Sequence, residues 1–146
     1  MKKKLKNIFI EGAIPPEKIA ESIQQHSSKK DIGAHSIFLG QIRADKIENS
    51  KVKAIDYYAY EDMALQVAHQ VREDIFEKYP LTCMHIYHSL GQVKTGEICF
   101  FVFTSSAHRK AAIAACQETV DRIRKEVPIW GKELLEDETS QWKINT

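Results

Sequence analysis

Apolar and polar positions divide the chain into strands and helices in mixed order. Leu5 to Ile14 reads as a first strand, with Gly12 near its end. Pro15-Pro16 then opens a short helix to about Gln25, because the fixed φ of proline suits a first helical turn. Its apolar residues Ile19, Ala20 and Ile23 recur at three and four, as one helix face requires. After a polar turn from Ser27 to Asp31, Gly33 to Ile42 reads as a strand with Ala34, Ser36, Phe38 and Gly40 on one face. Ala44 to Ser50 is a polar loop, and Val52 to Tyr60 is a strand by its β-branched and aromatic content. Glu61 to Tyr79 is a long helix: Met63, Ala64, Val67, Val71, Ile75 and Phe76 keep the helical period, and Pro80 marks its stop. Leu81 to Leu90 and Glu97 to Thr104 read as an antiparallel hairpin closed by Gly91 to Gly96. A second long helix, Ser106 to Val127, ends near Pro128. The tail holds two β-like pieces, Ile129-Trp130 and Gln141 to Ile144, around the acidic turn Glu136-Asp137-Glu138.

The order β-α-β-β-α-β-β-α-β, with hairpins among the helices, predicts an α+β domain over 1–146 with a mostly antiparallel sheet and two long helices. The expected core is Ile8, Ile10, Ile37, Leu39, Ile55, Val67, Val71, Ile75, Ile86, Phe101, Phe103, Ile113, Val120 and Ile123. Charge then limits the partners. Lys and Arg total 21 against 20 Asp and Glu, a formal net charge of +1, so a general nucleic-acid binder is not expected. One local anion site remains open. No apolar run approaches the roughly 20 residues of a membrane helix. The basic start Met1-Lys2-Lys3-Lys4 is followed by only Ile8-Phe9-Ile10 before Glu11, far short of a signal-peptide core, and a cytoplasmic location is expected. Cys83, Cys99 and Cys116 show no paired or metal-ligand spacing, so buried structural thiols are expected. His85 and His88, three apart on one strand, point to opposite faces and would not share a metal. Neither a metal motif nor a cofactor loop is present in the pattern.

The segment Thr104-Ser105-Ser106-Ala107-His108-Arg109 carries the most chemistry. It joins an apolar strand to a helix start, where Ser105 or Ser106 would serve as N-cap. First-turn N–H groups favour an anion there. His108, Arg109 and Lys110 occupy a turn that normally prefers carboxylates. Arg109 also projects near the middle of the stripe Ile113, Cys116, Val120, Ile123 and Val127. An anion site and a salt-bridged or snorkelling arginine stand at even weight. At the far end, Arg124 sits about 60° from the stripe centre and Lys125 about 160° away, so Lys125 should face solvent. Arg43, after Gly40-Gln41-Ile42, and Lys132, after Pro128-Ile129-Trp130-Gly131, are further candidates. Each also reads as an exposed charge at a strand end or turn. Gly40 marks either a close approach or a bulge.

These segments together resemble the large, catalytic subunit of molybdopterin synthase. The matching pieces are Gly33-Ala34 through Gly40-Gln41-Ile42-Arg43, Tyr60-Glu61 with Met63, His88-Ser89-Leu90-Gly91 with Gly96-Glu97, Thr104 through Arg109, and Val127-Pro128-Ile129-Trp130 with Lys132-Glu133. They run in order over nearly the whole chain. The resemblance implies a fold of α/β-hammerhead type and a homodimer within a heterotetramer. It implies a sulfurtransferase that converts cyclic pyranopterin monophosphate to molybdopterin, with no cofactor or metal of its own. The sulfur would come from a small ubiquitin-like carrier ending in a Gly-Gly thiocarboxylate, whose tail enters a pocket of the large subunit. It implies substrate binding by Gln41, Arg43, His108, Arg109, Gly131 and Glu133, and catalysis or tail contact by Lys132.

Two positions depart from the family pattern. The family usually has Lys four residues before the proline, where this chain has Arg124 followed by Lys125. It usually has Lys directly after the tryptophan, where this chain has Gly131 followed by Lys132. Arginine stays protonated and is a poor general base. Either Arg124 acts electrostatically, or the helix end unwinds and Lys125 takes the role. The angular estimate favours Arg124, and a flexible Gly131 would let Lys132 reach back as the catalytic amine. The rival readings are a catalytically impaired anion- and partner-binding module of the same fold, and a small phosphate-binding enzyme of other chemistry.

Overall fold

The computed structural model describes residues 5–144; Met1–Lys4 and the last two residues, at the ends of the expected 1–146 domain, lie outside the described residues. Among the described residues, strand β1 (Phe9–Glu11) and helix α1 (Pro16–His26) come first, followed by β2 (Ala34–Gln41). Next come β3 (Lys46–Ile47), β4 (Ser50–Ala59), α2 (Glu61–Lys78), β5 (Leu81–Lys94) and β6 (Ile98–Ser106). Last come α3 (Arg109–Glu126), β7 (Ile129–Leu135) and β8 (Ser140–Trp142). The sheet order is β2-β6-β5-β4-β7-β8. All those neighbours pair antiparallel, and only β1 joins in parallel, against β5. The fold is thus mixed α and β with a mostly antiparallel sheet, as the pattern predicts. Among the described residues, no helix is long and apolar enough to cross a membrane.

β5 organises the sheet. Up to His88 it pairs with β6, and from Gly91 onward it pairs with β4. Gly91 makes that change of partner with φ +78, and a Cβ there would run into the Glu11 carboxylate. The sequence reading ended this strand at Leu90 and took Gly91 to Gly96 as a loop. The glycine instead bends a continuous strand, and the hairpin turn lies at Thr95-Gly96-Glu97. Two further differences are local. The expected first strand from Leu5 contracts to Phe9–Glu11, and the polar 44–50 segment contains β3, which folds back on Ser50 and Lys51.

The main core lies between the sheet and the pair α2–α3. Val71 and Ile75 of α2 meet Met84, Ile86 and Val102 of the sheet, with Cys116, Val120 and Ile123 of α3. A smaller core under α1 holds Ile14, Phe101 and Phe103. Three expected core residues are exposed: Ile37 at 37%, Leu39 at 41% and Ile113 at 54%. Alternation along β2 is real, but Ser36 and Phe38 face α3, while Ile37 and Leu39 lie opposite Phe103 and Phe101 beyond the cover of α1. On α3 the inward line is Ala112, Ala115, Cys116, Thr119, Val120 and Ile123, so small residues let the helix approach and Ile113 turns outward.

Candidate functional site

A cavity of about 320 Å³ opens where β5 changes partners. Its inner wall is apolar, with Phe38, Phe100, Ile55, Ile123 and Val127, and its mouth carries Gln41, Arg43, Arg124 and Lys143. Local irregularities aim these groups. The β2–β6 register shifts between Gly40 and Gln41, so that Gly40 pairs with Phe100 and Gln41 with Ile98. Cys99 is the extra residue of this bulge and lines the cavity. A Cβ on Gly40 would come within 3.1 Å of the Phe100 Cβ, so glycine permits the close approach of the two strands. Gln41 and Arg43 follow the bulge and line the same cavity as Arg124 at the C-terminus of α3.

That helix end is fixed from outside. Arg122 donates from Nη1 to Asp74 Oδ2 of α2 at 2.8 Å and from Nε to Glu126 Oε2 at 2.6 Å. Val127 N–H donates to Ile123 O at 3.1 Å, and Pro128 ends the helix. Arg124 therefore sits in a regular last turn; it and Lys125 are both exposed, but Arg124 lines the cavity and Lys125 does not. The alternative in which the helix unwinds to present Lys125 has no counterpart here. The helix dipole favours a cation in this turn. Among the described residues, Arg124 and Lys143 have no carboxylate within 4.0 Å. Arg43 pairs with Asp45, Nε to Oδ1 at 3.3 Å, and its side chain is 77% exposed. An exposed pair of this kind is worth about 0–1 kcal/mol, so a stronger anion can displace Asp45 at little cost.

The cavity floor is electrically quiet. Burial pushes the His88 pKa down to about 4, helped by the nearby charge of Arg124. His88 Nδ1 lies 2.8 Å from Ser89 O, which makes Nδ1 the protonated nitrogen and leaves Nε2 as an acceptor. The Tyr57 ring stands edge-on to His88 at 4.9 Å, and its hydroxyl donates to Cys99 Sγ at 3.5 Å. Burial raises the pKa of both Tyr57 and Cys99. A neutral, partly apolar floor beneath three cations strengthens the attraction for an anion, because less water screens it.

The expected site residues fall into three places. Gln41, Arg43 and Arg124 line the cavity. Gly131 and Glu133 lie behind it: a Cβ on Gly131 would meet Ile55 Cγ2 at 2.7 Å and Tyr57 Cε1 at 3.1 Å, and buried Glu133 accepts from Gln141 Nε2 at 3.2 Å. Lys132 points the other way. It is held in β7 opposite Asp56 and Trp142, with Nζ 5.5 Å from the Trp142 ring centroid, so Gly131 does not swing it into the cavity. His108 and Arg109 lie at the opposite end of α3, lining a shallow depression with Gly33, Ala34, Ala107 and Lys110. Fifteen residues at about 1.5 Å each put Arg109 and Arg124 about 22 Å apart along the helix.

The expected N-cap is corrected too. Ser105 and Ser106 belong to β6 and are buried; Ser105 Oγ meets His35 Nδ1 at 2.7 Å, and the Ser106 hydroxyl donates to the His108 carbonyl. His108 is the N-cap, without a side-chain cap bond, so no serine closes the helix start. His85 and His88 face opposite sides, as alternation predicts, and His85 Nε2 lies 3.2 Å from His26 Nε2. Among the described residues, no group of three or more His, Cys, Asp or Glu is placed to hold a metal. Lys143 was missed. The sequence predicts a β-like tail, but the parity that turns Lys143 inward depends on the β7–β8 register, which the sequence does not display.

Fold and cavity define a class, an antiparallel α/β domain that gathers cations around one small cavity. Comparison with known proteins narrows it. The sequence model described as MoaE protein matches residues 13–126, and the chain belongs to that family. It is 33% identical over 115 residues to the "Molybdopterin synthase catalytic subunit" of Pyrococcus abyssi, covering 79% of this chain and 76% of that protein. It is 42% identical over 115 residues to the protein of the same name from Drosophila willistoni, covering 77% of this chain but only 31% of that one. Against the rat protein of that name the match spans 56% of its length, so the chain covers well under two thirds of these animal relatives. Among solved structures, molybdopterin synthase from Staphylococcus aureus superposes with a TM-score of 0.81 at 31% identity, over 97% of this chain and 99% of that one. A complex of subunits 1 and 2 of molybdopterin-converting factor from Helicobacter pylori superposes with a TM-score of 0.77 at 21% identity, over 92% of this chain and 87% of that one, a likeness of fold.

Proposed function

We propose that the chain is a catalytic subunit of molybdopterin synthase, a cytoplasmic sulfurtransferase. In this reading it moves sulfur from the C-terminal thiocarboxylate of a small ubiquitin-like carrier onto cyclic pyranopterin monophosphate and forms the dithiolene. The observation that carries it is the cavity, in which Gln41, Arg43 and Arg124 meet over an apolar floor. Both reactants bring an anion, the cyclic phosphate and the thiocarboxylate, and a guanidinium pair suits both. Arg124 stays protonated throughout, so its role is electrostatic: it stabilises negative charge that develops as the thiocarboxylate sulfur attacks and oxygen leaves. The buried thiols are not needed as nucleophiles, because the sulfur arrives on the partner.

His108 and Arg109 can keep a substrate-binding role only if a second copy presents them, since about 22 Å of helix separates them from Arg124 in one chain. A homodimer within a heterotetramer suits this. Ile37 and Leu39 leave an uncovered apolar strip on β2, which is an edge of the sheet. Lys132, on the outer side of β7 with Trp142, is assigned to contact with the carrier rather than to the reacting centre. Gly131 and Glu133 form the wall behind the substrate.

The test mixes the protein with thiocarboxylated carrier and cyclic pyranopterin monophosphate and follows the dithiolene product. Product formation is the expected outcome. A stable complex that binds both reactants yet gives no product would favour the impaired binding module, for which the loss of lysine at positions 124 and 131 is the specific support.

A further inference from the structure

Reading the cavity as a sulfur-transfer site leaves it with guanidinium groups and no lysine from the helix end or from β7. The tail supplies one. β8 runs antiparallel to β7 with Lys132 opposite Trp142, which sets Lys143 opposite Gly131. Lys143 N–H donates to Gly131 O at 2.8 Å, so the backbone is tied at that point. Side chains alternate across the sheet, and therefore Lys143 and Lys132 go to opposite faces. Lys132 lies against Trp142 on the outer face. Lys143 is half-buried and lines the cavity together with Arg43, Arg124 and Cys99. Its charge acts on the Cys99 thiol there, against the burial that raises that thiol's pKa. Gly131 places no side chain between the tail and the cavity, and the room beside it is taken by Ile55 and Tyr57.

We propose that Lys143, delivered by the tail beside Gly131, is the amine of this site and contacts the anionic group of the bound reactant. The proposal rests on the reading of the cavity given above. The recognised chemistry is a small oxyanion or its thio analogue. It has two sources: the cyclic phosphate of the pterin, and the C-terminal group of the carrier tail. An ammonium on a flexible stem among fixed guanidinium groups adds a third positive charge that can follow the anion as its geometry changes. Lys143 belongs to neither core cluster, so its substitution spares both.

Wild type, Lys143→Ala and Lys143→Arg are titrated by calorimetry with cyclic pyranopterin monophosphate and, separately, with the carrier in its carboxylate form. Single-turnover conversion with thiocarboxylated carrier is measured alongside, with thermal melting as the control for fold. Lys143→Ala is expected to weaken one of the two binding arms roughly tenfold or more, and that arm identifies the anion. Lys143→Arg should recover most of the affinity, which a merely structural role of the tail would not require. Unchanged affinity of Lys143→Ala in both arms overturns the proposal. A wild type that binds but gives no product sinks the synthase reading alone, and the binding arms still decide the role of Lys143. A wild type that binds neither reactant overturns both.

Discussion

The two ends of α3 carry the same sign of charge and do different things. At its start, Arg109 and Lys110 oppose the helix dipole and, with His108, line an open depression. At its end, Arg124 agrees with the dipole and faces a cavity walled by β2, β4, β6 and β7. An argument from helix polarity alone selects the start, where backbone N–H groups await an anion. Enclosure selects the end, because charges over a low-dielectric floor act more strongly than the same charges in water. Backbone dipoles mark places where an anion is tolerated; enclosure and converging side chains mark a place where chemistry can be done.

The largest effect should come from breaking the enclosed end. Arg124→Ala is expected to lower single-turnover conversion by about 100-fold or more, the scale of losing one aligned charge at a reacting centre. Arg124→Lys keeps the charge and restores the residue usual in the family, so it should hold activity near or above wild type. If Arg124→Ala stayed within about threefold of wild type, the electrostatic role would be lost, and with it the contrast between the helix ends.

The floor of the same end responds to acid. His88 is neutral in the fold with a pKa near 4, against 6.5 for the free side chain. Between those values the unfolded chain takes up a proton that the folded chain refuses, so stability falls as pH drops through this window. The full loss attributable to His88 is about 3 kcal/mol. His85, also pushed down to about 4 by burial, acts in the same direction from the other face. Urea denaturation at about pH 7 and about pH 4.5 measures the slope, and His88→Gln should flatten it. An unchanged slope in that variant would mean that the acid sensitivity lies with the other histidines whose pKa burial lowers, His85 and His35.

The open end is tested by pairing. Arg109→Ala should weaken pterin phosphate binding about tenfold if a second copy lends Arg109 to the cavity. Dimers formed from equal amounts of Arg109→Ala and Arg124→Ala chains would then contain an intact site in about a quarter of all positions, by random association. Activity recovered to about that level on mixing supports a shared site. No recovery would leave the helix start without a part in the reaction.

How much of this could be read from the chain depended on the kind of signal. The long helices were legible, because Val71 and Ile75 or Val120 and Ile123 repeat at helical spacing and proline stops both runs. Period-two alternation gave β2 its two faces but not which one is covered, so Ile37 and Leu39 were placed inside. The bend at Gly91 was illegible because a glycine at positive φ looks the same in a strand as in a turn. Position and helical angle brought Arg43 and Arg124 forward, family resemblance added Gln41, and all three line the cavity. The resemblance also drew attention to Lys132 as the nearest lysine to the expected position. Sequence proximity is a poor guide there, since adjacent strand residues face opposite ways, and a residue 12 positions from Gly131 stands beside it through the β7–β8 pairing.

The smallest effect separates the two faces of β7. Lys132 lies over the Trp142 ring at the surface, where cation–π contacts are worth about 0.5–1 kcal/mol, and a rim charge influences encounter more than affinity. Lys132→Ala should therefore weaken the carrier complex by only about two- to fivefold, chiefly through a slower, salt-sensitive association. It should leave the affinity for cyclic pyranopterin monophosphate unchanged. Stopped-flow association at low and moderate salt, beside calorimetry with the pterin, reads both quantities. A loss of pterin affinity in Lys132→Ala as large as that in Lys143→Ala would mean that β7 twists in the complex and that the alternation assigning one lysine to each face does not survive substrate binding.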